Sequence, residues 1–218
     1  MLPALCLASL GGPLRPRLAA LDSAVLAAGI VLVVAYLVGT FPTAALVGRR
    51  AGFDPTAGGS GNPGASNSFR LGGRRAGALV LAGDLAKGAL ATGAGLVVGG
   101  RPLALLAGAA AVLGHVFPAT RGFRGGKGVA TAAGIVVVLE PIAALVGLGA
   151  WVVVMAVRRT ASLASLAGVV AGLVAVVALG RPAWEVAGLA AIGVLIVVRH
   201  RGNLSRVAAG TEQTMEDT

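Results

Sequence analysis

The chain has 218 residues, of which 56% are hydrophobic and only 12% are charged, and its mean hydropathy is +0.89. A soluble domain usually has about a quarter of its residues charged, so this composition excludes an ordinary soluble protein and indicates an integral membrane protein. The net charge of +10 does not indicate a nucleic-acid-binding protein, because the basic residues form short clusters between apolar runs and only 4% of the residues are aromatic.

The first 21 residues do not match a secretory signal peptide. Their apolar run is short, Gly and Pro interrupt it, and the positive charges Arg15 and Arg17 follow it instead of preceding it. We expect residues 1–21 to be a poorly ordered extension or the result of a start assigned too far upstream. A membrane domain over residues 22–207 and an acidic, disordered cytoplasmic tail over residues 208–218 complete the predicted organisation.

Apolar segments follow one another along the whole membrane domain. A transmembrane helix needs about 20 apolar residues, and the candidate segments are 23–47, 76–98, 103–119, 128–139, 141–157, 161–179 and 183–198. The fourth is too short to span alone, so residues 128–157 form either one long helix or two helices that meet at Glu140-Pro141. Proline disfavours helix at the preceding residue, and a charge deep in lipid is costly, so a turn is expected there.

The distribution of basic residues supports the turn. The clusters are Arg49, Arg50, Arg70, Arg74 and Arg75; Arg121, Arg124 and Lys127; Arg158 and Arg159; and Arg199, Arg201 and Arg206. With seven crossings all four clusters lie on one side of the membrane, whereas one long helix would divide them. The positive-inside rule therefore predicts an all-α, polytopic membrane helix bundle of about seven transmembrane helices, with the N-terminus out and the C-terminus in. The many Gly and Ala residues would let its helices pack closely.

Three polar stretches lie on the cytoplasmic face in this topology: residues 58–70, 114–131 and 199–206. The first contains Gly59-x-Gly61-x-x-Gly64, but a membrane span precedes it, which excludes a dinucleotide-binding βαβ unit. The second contains Gly126-Lys127, but it has no P-loop spacing.

The glycine-rich stretches can still bind an anion. Glycines let consecutive backbone N–H groups face an anion, and a helix N-terminus adds to this effect. Gly125-Gly126-Lys127-Gly128 opens the fourth span in this way, and Arg70 and Lys127 would add full charges. Neutral hydrogen bonds would come from Ser60, Asn62 and Asn67. Flexible surface turns are the alternative, but three such loops on one face favour a phosphate site.

The remaining polar residues have simpler interpretations. His200 and Asn203 are three residues apart and so share one helical face. His115 ends the third span and is expected to bond to backbone, while Asp84 and Lys87 either pair to offset burial or contact a substrate. The single cysteine, Cys6, and two histidines without a carboxylate companion predict neither a metal site nor a cofactor.

Together, the three stretches resemble the bacterial integral-membrane acyl-phosphate:glycerol-3-phosphate acyltransferases. That family has a Gly-Ser-Gly-Asn-x-Gly-Ala-Thr-Asn loop, matched at residues 59–67 with Ser66 in the threonine place. It has Gly-His-x-Phe-Pro leading to Gly-Gly-Lys-Gly-Val-Ala-Thr, matched at residues 114–131, and Arg-His-x-x-Asn with a later Arg, matched at residues 199–206. Asp84, Lys87 and Gly88 are also family-like, and the resemblance covers about residues 27–207.

The resemblance implies transfer of a fatty acyl group from acyl phosphate to the 1-hydroxyl of glycerol 3-phosphate, in the first acylation of phospholipid synthesis. It implies a multi-pass protein of the bacterial cell membrane with its active site on the cytoplasmic face. The residues implied to bind the glycerol phosphate are Ser60, Arg70, Lys127, His200 and Asn203. The glycine loops around residues 58–64 and 125–128 are implied to surround the acyl phosphate. The substrate-binding residues thus also include Gly61, Asn62, Gly64, Asn67, Gly125, Gly126 and Gly128. The residues implied to act in catalysis are His200, Asn203, Lys127 and Ser60. The soluble enzyme that makes acyl phosphate is a candidate partner.

An acyl phosphate is already activated, so the expected mechanism needs only positioning, charge stabilisation and removal of one proton. The substrate phosphate or His200 would take that proton, without an acyl-enzyme. Neither histidine begins the His-x-x-x-x-Asp pattern of acyltransferases that use acyl-CoA, since residue 120 is Thr and residue 205 is Ser. The alternative function is a transporter or flippase for a phosphorylated solute or lipid. Such a protein usually has internal repeats and a binding site at the midplane, and the sequence shows neither.

Overall fold

The computed structural model describes the backbone of residues 14–215 and the side chains of residues 21–215. Within these residues the regular structure is helical, with one 3₁₀ turn at Ala119–Arg121. The helices are α1 Leu14–Thr40, α2 Thr43–Ala51, α3 Ala65–Val116, α4 Val129–Leu139, α5 Pro141–Arg158, α6 Ala161–Ala178, α7 Ala183–Arg199 and α8 Arg201–Ala208. The predicted all-α fold is confirmed.

Glycine breaks divide the long helix α3 into three segments. Gly73 and Gly100 have φ values of 73° and 70°, which glycine adopts without the steric cost that other residues incur. Pro102 follows the second break, in the first turn of the next segment, where its missing N–H costs little. The segments are α3a (65–72), α3b (74–98) and α3c (101–116), and the last two correspond to the predicted spans 76–98 and 103–119.

The turn expected at Glu140-Pro141 is present. Helix α4 ends at Leu139, Glu140 has φ −139° and ψ 65°, and Pro141 is the first residue of α5. Proline suits this first helical position because its fixed φ fits the helix and its nitrogen has no hydrogen to satisfy. The prediction of two helices instead of one long helix is therefore correct.

Between residues 14 and 215, four helical stretches are long and apolar enough to cross a membrane: Leu21–Ala51, Ala65–Arg121, Pro141–Arg158 and Ala161–Ala178. A fifth results if α7 and α8, which are bent by 54° relative to each other, are counted as one span. Helix α4 is shorter than these. A polytopic membrane bundle is therefore confirmed, while the count of seven crossings and their orientation stay predictions.

Glycines allow the helices to touch through their backbones. A Cβ placed on Gly39 would lie 2.1 Å from the carbonyl oxygen of Ala111, and one on Gly88 would lie 1.9 Å from that of Thr131. These distances are far below van der Waals contact, so α1 packs against α3c, and α3b against α4, only because these positions lack side chains. The expected role of small residues in close packing is confirmed.

An ion-pair cluster ties together the end of the bundle where α3c and α7 begin and α4 ends. The Arg101 guanidinium bonds to both Glu140 and Glu185, and Arg181 Nε donates to Glu140 Oε2 at 2.8 Å. Both carboxylates are fully buried, while the two arginine side chains are 39% exposed. Pairing and hydrogen bonding offset the cost of burying these charges. We call these four residues the distal cluster.

The ends of the chain differ from the sequence-based expectation. Helix α1 already begins at Leu14, inside the segment predicted to be a disordered extension, whose residues 1–13 lie outside the described part. Residues 209–215 of the predicted disordered tail lie against Arg70, Ser162 and Asn203, in α3a, α6 and α8. The Glu212 carboxylate and the backbone carbonyls of this tail accept hydrogen bonds from basic, amide and hydroxyl side chains. Composition alone does not predict these contacts. Residues 216–218 are outside the described part.

Candidate active site

The three polar stretches converge at the end of the bundle opposite the distal cluster. The first runs from the preceding loop into α3a, the second joins α3c to α4, and the third spans the break between α7 and α8. Helices α3c and α4 therefore carry the distal cluster at one end and the candidate site at the other. The tail after α8 completes the site.

The Asn67 side chain holds the first loop in place through hydrogen bonds to its backbone. Its side-chain oxygen accepts a hydrogen bond from the Ser60 backbone N–H at 2.9 Å, and its amide nitrogen donates to the carbonyls of Pro55 and Gly58 at 2.9 and 3.1 Å. Asn67 is only 1% exposed, so this amide holds the loop in shape. The sequence interpretation had placed Asn67 against substrate. Ser60 and Gly61, by contrast, are exposed at the loop surface, while Asn62 and Gly64 are half-buried.

The second loop is held by one backbone hydrogen bond and one hydrogen bond from an arginine side chain. The Gly126 N–H donates to the His115 carbonyl at 3.2 Å, and Arg199 Nη2 donates to the Gly125 carbonyl at 3.2 Å. Gly128 has φ 86° and immediately precedes α4, so the loop enters the helix through a conformation that favours glycine. The loop that contains Lys127 thus leads into α4 through Gly128, and the first turn begins at Val129.

A buried polar cluster supports this loop from inside the bundle. Lys87 Nζ donates to Asp84 Oδ1 at 2.7 Å, and His115 Nδ1 lies 3.7 Å from the same oxygen. All three residues are at most 6% exposed. On its other side the His115 ring abuts the loop, because a Cβ on Gly126 would lie 2.2 Å from His115 Nε2. Asp84 and Lys87 therefore pair with each other, and His115 connects the pair to the loop.

Lys127 and the third stretch meet directly. Lys127 Nζ donates a 2.6 Å hydrogen bond to Asn203 Oδ1. His200, one turn before Asn203, places its Nδ1 2.8 Å from the Ile196 carbonyl. A carbonyl oxygen only accepts, so Nδ1 carries the hydrogen, and in the neutral ring Nε2 keeps the lone pair. The predicted grouping of Lys127, His200 and Asn203 is present in the structure.

The tail contributes a residue that the sequence interpretation missed. Glu212 Oε1 accepts hydrogen bonds from Asn203 Nδ2 at 2.5 Å and Ser162 Oγ at 2.7 Å, while Oε2 accepts from Arg206 Nε at 2.8 Å. The Arg70 side chain donates to the Thr214 and Gln213 carbonyls, both at 3.3 Å. In the sequence, Glu212 is recognisable only as an acidic residue that follows a basic stretch. That pattern does not predict which residues its carboxylate contacts.

Burial shapes the electrostatics of this site. Burial, only partly opposed by the Glu212 carboxylate, lowers the pKa of the Lys127 ammonium to about 8. Burial alone would raise the pKa of Glu212, but the hydrogen bonds from Asn203, Ser162 and Arg206 hold that pKa below its ordinary value. Lys127 therefore stays protonated at neutral pH and is desolvated enough to attract an anion strongly.

The arrangement offers a loop of backbone amides at a helix N-terminus, a buried ammonium, an imidazole with an available lone pair and several amide groups. Such a set can bind phosphate oxygens and accept a proton from a nearby hydroxyl. The Arg70 side chain contacts the tail at the Thr214 and Gln213 carbonyls, and Ser60 lies on the exposed surface of its loop.

Comparison with known sequences agrees with this chemistry. A family model described as "Glycerol-3-phosphate acyltransferase" matches residues 29–210. The glycerol-3-phosphate acyltransferase of Jannaschia sp. is 40% identical over 199 residues, which are 91% of this chain and 98% of the relative. That of Roseiflexus sp. is 43% identical over 196 residues, or 87% and 96% of the two chains.

Two solved structures are similar to the whole bundle. They are crystal structures of PlsY (YgiH), an integral membrane glycerol 3-phosphate acyltransferase, in its glycerol 3-phosphate form and its lysophosphatidic acid form. Their TM-scores are 0.83 and 0.81, each at 34% identity, and each match covers 86% of this chain and 94% of the other. This chain therefore belongs to the glycerol-3-phosphate acyltransferase family of integral membrane enzymes.

Proposed function

We propose that this acyltransferase takes its acyl group from an acyl phosphate and transfers it to the 1-hydroxyl of glycerol 3-phosphate. The products are lysophosphatidic acid and inorganic phosphate. The observation that carries the proposal is the hydrogen bond from Lys127 to Asn203. It brings the glycine loop next to the break between α7 and α8, so that groups from both segments can bind the same anion. The solved relatives are a glycerol 3-phosphate form and a lysophosphatidic acid form, and these ligands are one substrate and one product of the proposed reaction.

Glycerol 3-phosphate binds between Lys127 and the third stretch in this proposal. Lys127 and Arg70 neutralise its phosphate, and Asn203, His200 and Ser60 bind its remaining oxygens. Charged groups make the stronger hydrogen bonds to phosphate, while the neutral groups fix orientation. The acyl phosphate lies over the glycine loops at residues 58–64 and 125–128. The backbone N–H groups of these loops that do not already donate within the protein, as those of Ser60 and Gly126 do, suit its oxygens.

The reaction requires one bond to form, one to break and one proton to move. The glycerol oxygen attacks the acyl carbonyl carbon, the bond from that carbon to the phosphate oxygen breaks, and phosphate leaves with the bonding electrons. The hydroxyl proton passes to a substrate phosphate or to His200 Nε2. The Nδ1 contact with Ile196 supports His200 as an acceptor, because it leaves the Nε2 lone pair available.

The two proton acceptors can be separated by the pH dependence of kcat. If His200 accepts the proton, the loss of activity toward acidic pH disappears in a His200→Gln variant with residual activity. If a substrate phosphate accepts the proton, the loss of activity toward acidic pH persists in the His200→Gln variant. In either case no acyl group becomes attached to the protein, so acyl label retained on Ser60 after denaturation would contradict the mechanism.

Asp84, Lys87 and His115 are supporting residues in this proposal. They are buried, they contact one another, and the His115 ring lies against Gly126. We expect them to hold the loop and not to touch substrate. A His115→Ala variant should therefore raise the KM for the substrate that the loop binds more than it lowers kcat.

The site faces the cytoplasm of a bacterial cell in this proposal, because the basic loops surround it and such loops are retained on that side. A water-soluble substrate and an acyl phosphate from a soluble partner enzyme would both reach it there. Cysteine substitutions at exposed Ser60 and at Arg181, in otherwise cysteine-free protein, should react with an impermeant thiol reagent from opposite sides of oriented vesicles.

The experiment that tests the proposed function measures phosphate release by purified protein in lipid. Long-chain acyl phosphate is supplied with and without glycerol 3-phosphate, and acyl-CoA and acyl carrier protein serve as alternative donors. Release should require glycerol 3-phosphate and acyl phosphate together, and its rate should fall at least about tenfold in Lys127→Ala and His200→Ala. Arg124→Ala, an exposed change in the same loop, is the matched control. Equal turnover with acyl-CoA would show that the donor is wrong.

A further inference from the structure

A cavity with two basic residues lies outside the candidate active site, at the break between α1 and α2. Its volume is about 370 Å³, and it is lined by apolar side chains including Leu37, Phe41 and Leu46 and by the two basic residues Arg49 and Arg121. None of these residues takes part in the contacts of Lys127, His200 and Asn203 described above. The cavity therefore needs an explanation of its own.

The break itself is built into the backbone. Helix α1 ends at Thr40, and α2 begins at Thr43 after Phe41 and Pro42. Pro42 cannot donate a backbone hydrogen bond to continue α1. The break leaves the Thr40 carbonyl without its helical partner, and Arg121 Nη2 donates to that carbonyl at 3.3 Å.

Arg121 is incompletely satisfied within the described residues. Its Nε is buried and has no hydrogen-bond partner there. A buried unpaired donor costs about 1–3 kcal/mol, more when it is charged. A guanidinium has five N–H groups, so an anion bound in the cavity would satisfy the remaining donors. Arg49, at the last turn of α2, supplies a second positive charge at the same cavity.

The opposite wall favours hydrocarbon. Leu37 and Phe41 are each 54% exposed and Leu46 is 38% exposed. Free phosphate would satisfy the arginines and leave this wall uncovered, whereas an amphiphile covers both. We propose that the cavity binds an anionic phospholipid of the surrounding membrane, with the headgroup phosphate on Arg121 and Arg49 and the first acyl carbons against Leu37, Phe41 and Leu46.

The cavity is linked to the active-site loop through Tyr36. The Tyr36 hydroxyl donates to the Phe117 carbonyl at 2.8 Å and accepts from the Ala119 N–H at 3.1 Å. These bonds fix the segment that carries Arg121 and continues to Gly125. A lipid bound at Arg121 therefore stabilises the protein and steadies the approach to the glycine loop, without entering the active site.

The test uses purified full-length protein in a neutral detergent. Lipid retention is measured by native mass spectrometry, and thermal stability is followed during titration with phosphatidylglycerol, phosphatidylcholine, inorganic phosphate or glycerol 3-phosphate. Arg121→Leu and Arg49→Leu are compared with the exposed neighbours Arg124→Leu and Arg50→Leu, which do not line the cavity. Arg49 is exposed, so its substitution is expected to leave the fold intact if Arg121→Leu fails to fold.

Wild-type protein should retain one phosphatidylglycerol in preference to phosphatidylcholine. Each cavity variant should weaken that binding about fivefold, as expected for one basic residue facing an anionic headgroup, while the two control variants bind as wild type does. Equal losses in control and cavity variants would show only general attraction to anionic lipid and would overturn the proposal. Inorganic phosphate binding as tightly as phosphatidylglycerol, and lost in the same variants, would also overturn it by identifying the occupant as a free anion.

Discussion

Lys127 and Asn203 are 76 residues apart in the chain, yet their side chains share a 2.6 Å hydrogen bond. Lys127 belongs to the loop that opens α4, and Asn203 belongs to α8, beyond the bend that ends α7. The contact therefore sets the position of the ammonium relative to His200. Glu212 holds the other end of the Asn203 amide, so one asparagine connects the loop with the tail.

The first prediction concerns this contact. Lys127→Ala should lower kcat/KM for glycerol 3-phosphate by about 10- to 150-fold, because a hydrogen bond to a charged group contributes about 1.5–3 kcal/mol. Asn203→Ala should lower it less, and the double variant should be little worse than Lys127→Ala alone, since the two residues act as a unit. Steady-state kinetics of the four proteins measures the coupling. Strictly additive effects would show that the two side chains act independently.

The second prediction concerns pH. The pKa of Lys127 is lowered to about 8 in the substrate-free enzyme, so the ammonium is charged below that pH and loses its proton above it. The value of kcat/KM, which reports free-enzyme groups, should therefore fall as the pH rises through about 8. In a Lys127→Arg variant the guanidinium keeps its charge, and this alkaline decline should disappear even if the overall rate is lower. A decline of unchanged midpoint in that variant would assign it to another group.

The third prediction concerns Glu212. Glu212→Ala removes the common acceptor of Asn203, Ser162 and Arg206, so Asn203 should lose its fixed orientation and the KM for glycerol 3-phosphate should rise several-fold. Gln213→Ala is the matched control, because the Gln213 side chain is exposed and its backbone carbonyl, which Arg70 contacts, remains. Kinetics and thermal unfolding in detergent should be measured on both variants. Equal behaviour of the two would exclude a specific role of the Glu212 carboxylate.

The fourth prediction concerns packing. A Cβ at Gly88 would lie 1.9 Å from the Thr131 carbonyl oxygen, whereas Gly93, in the same helical segment, has nothing within 4 Å of a Cβ. Gly88→Ala should push α3b away from α4 and cost about 1–3 kcal/mol of stability, as overpacking does. Gly93→Ala should be neutral or slightly stabilising in the helix. Thermal unfolding of the two variants in one detergent checks this, and equal melting temperatures would contradict it.

Much of the fold could be predicted from local signals. Apolar runs located the helices, and proline after a charged residue located the turn at Glu140. The contact of Lys127 with the third stretch was expected from the placement of three polar loops on one face. The positions of the basic clusters thus predicted which loops lie at the same end of the bundle, which helix propensity does not predict.

The contacts that the sequence does not predict are those between residues far apart in the chain, or between a side chain and nearby backbone groups. Asn67 is predicted to bind substrate, and the structure adds that its amide nitrogen donates to the carbonyls of Pro55 and Gly58. The acidic tail is predicted to be disordered, and its sequence does not reveal that Glu212 and the nearby carbonyls contact Asn203, Arg206 and Arg70.

The distal cluster has a consequence for the loss of either of its arginines. Glu140 and Glu185 are both fully buried, and both bond to Arg101, whereas Arg181 bonds to Glu140. Loss of Arg101 would therefore leave the buried Glu185 carboxylate without its counter-ion and Glu140 with only Arg181. Loss of Arg181 would leave both carboxylates paired with Arg101. Removing one partner of a buried ion pair costs about 3–5 kcal/mol, so the two arginines, although equally exposed, contribute unequally to holding the ends of α3c, α4 and α7 together.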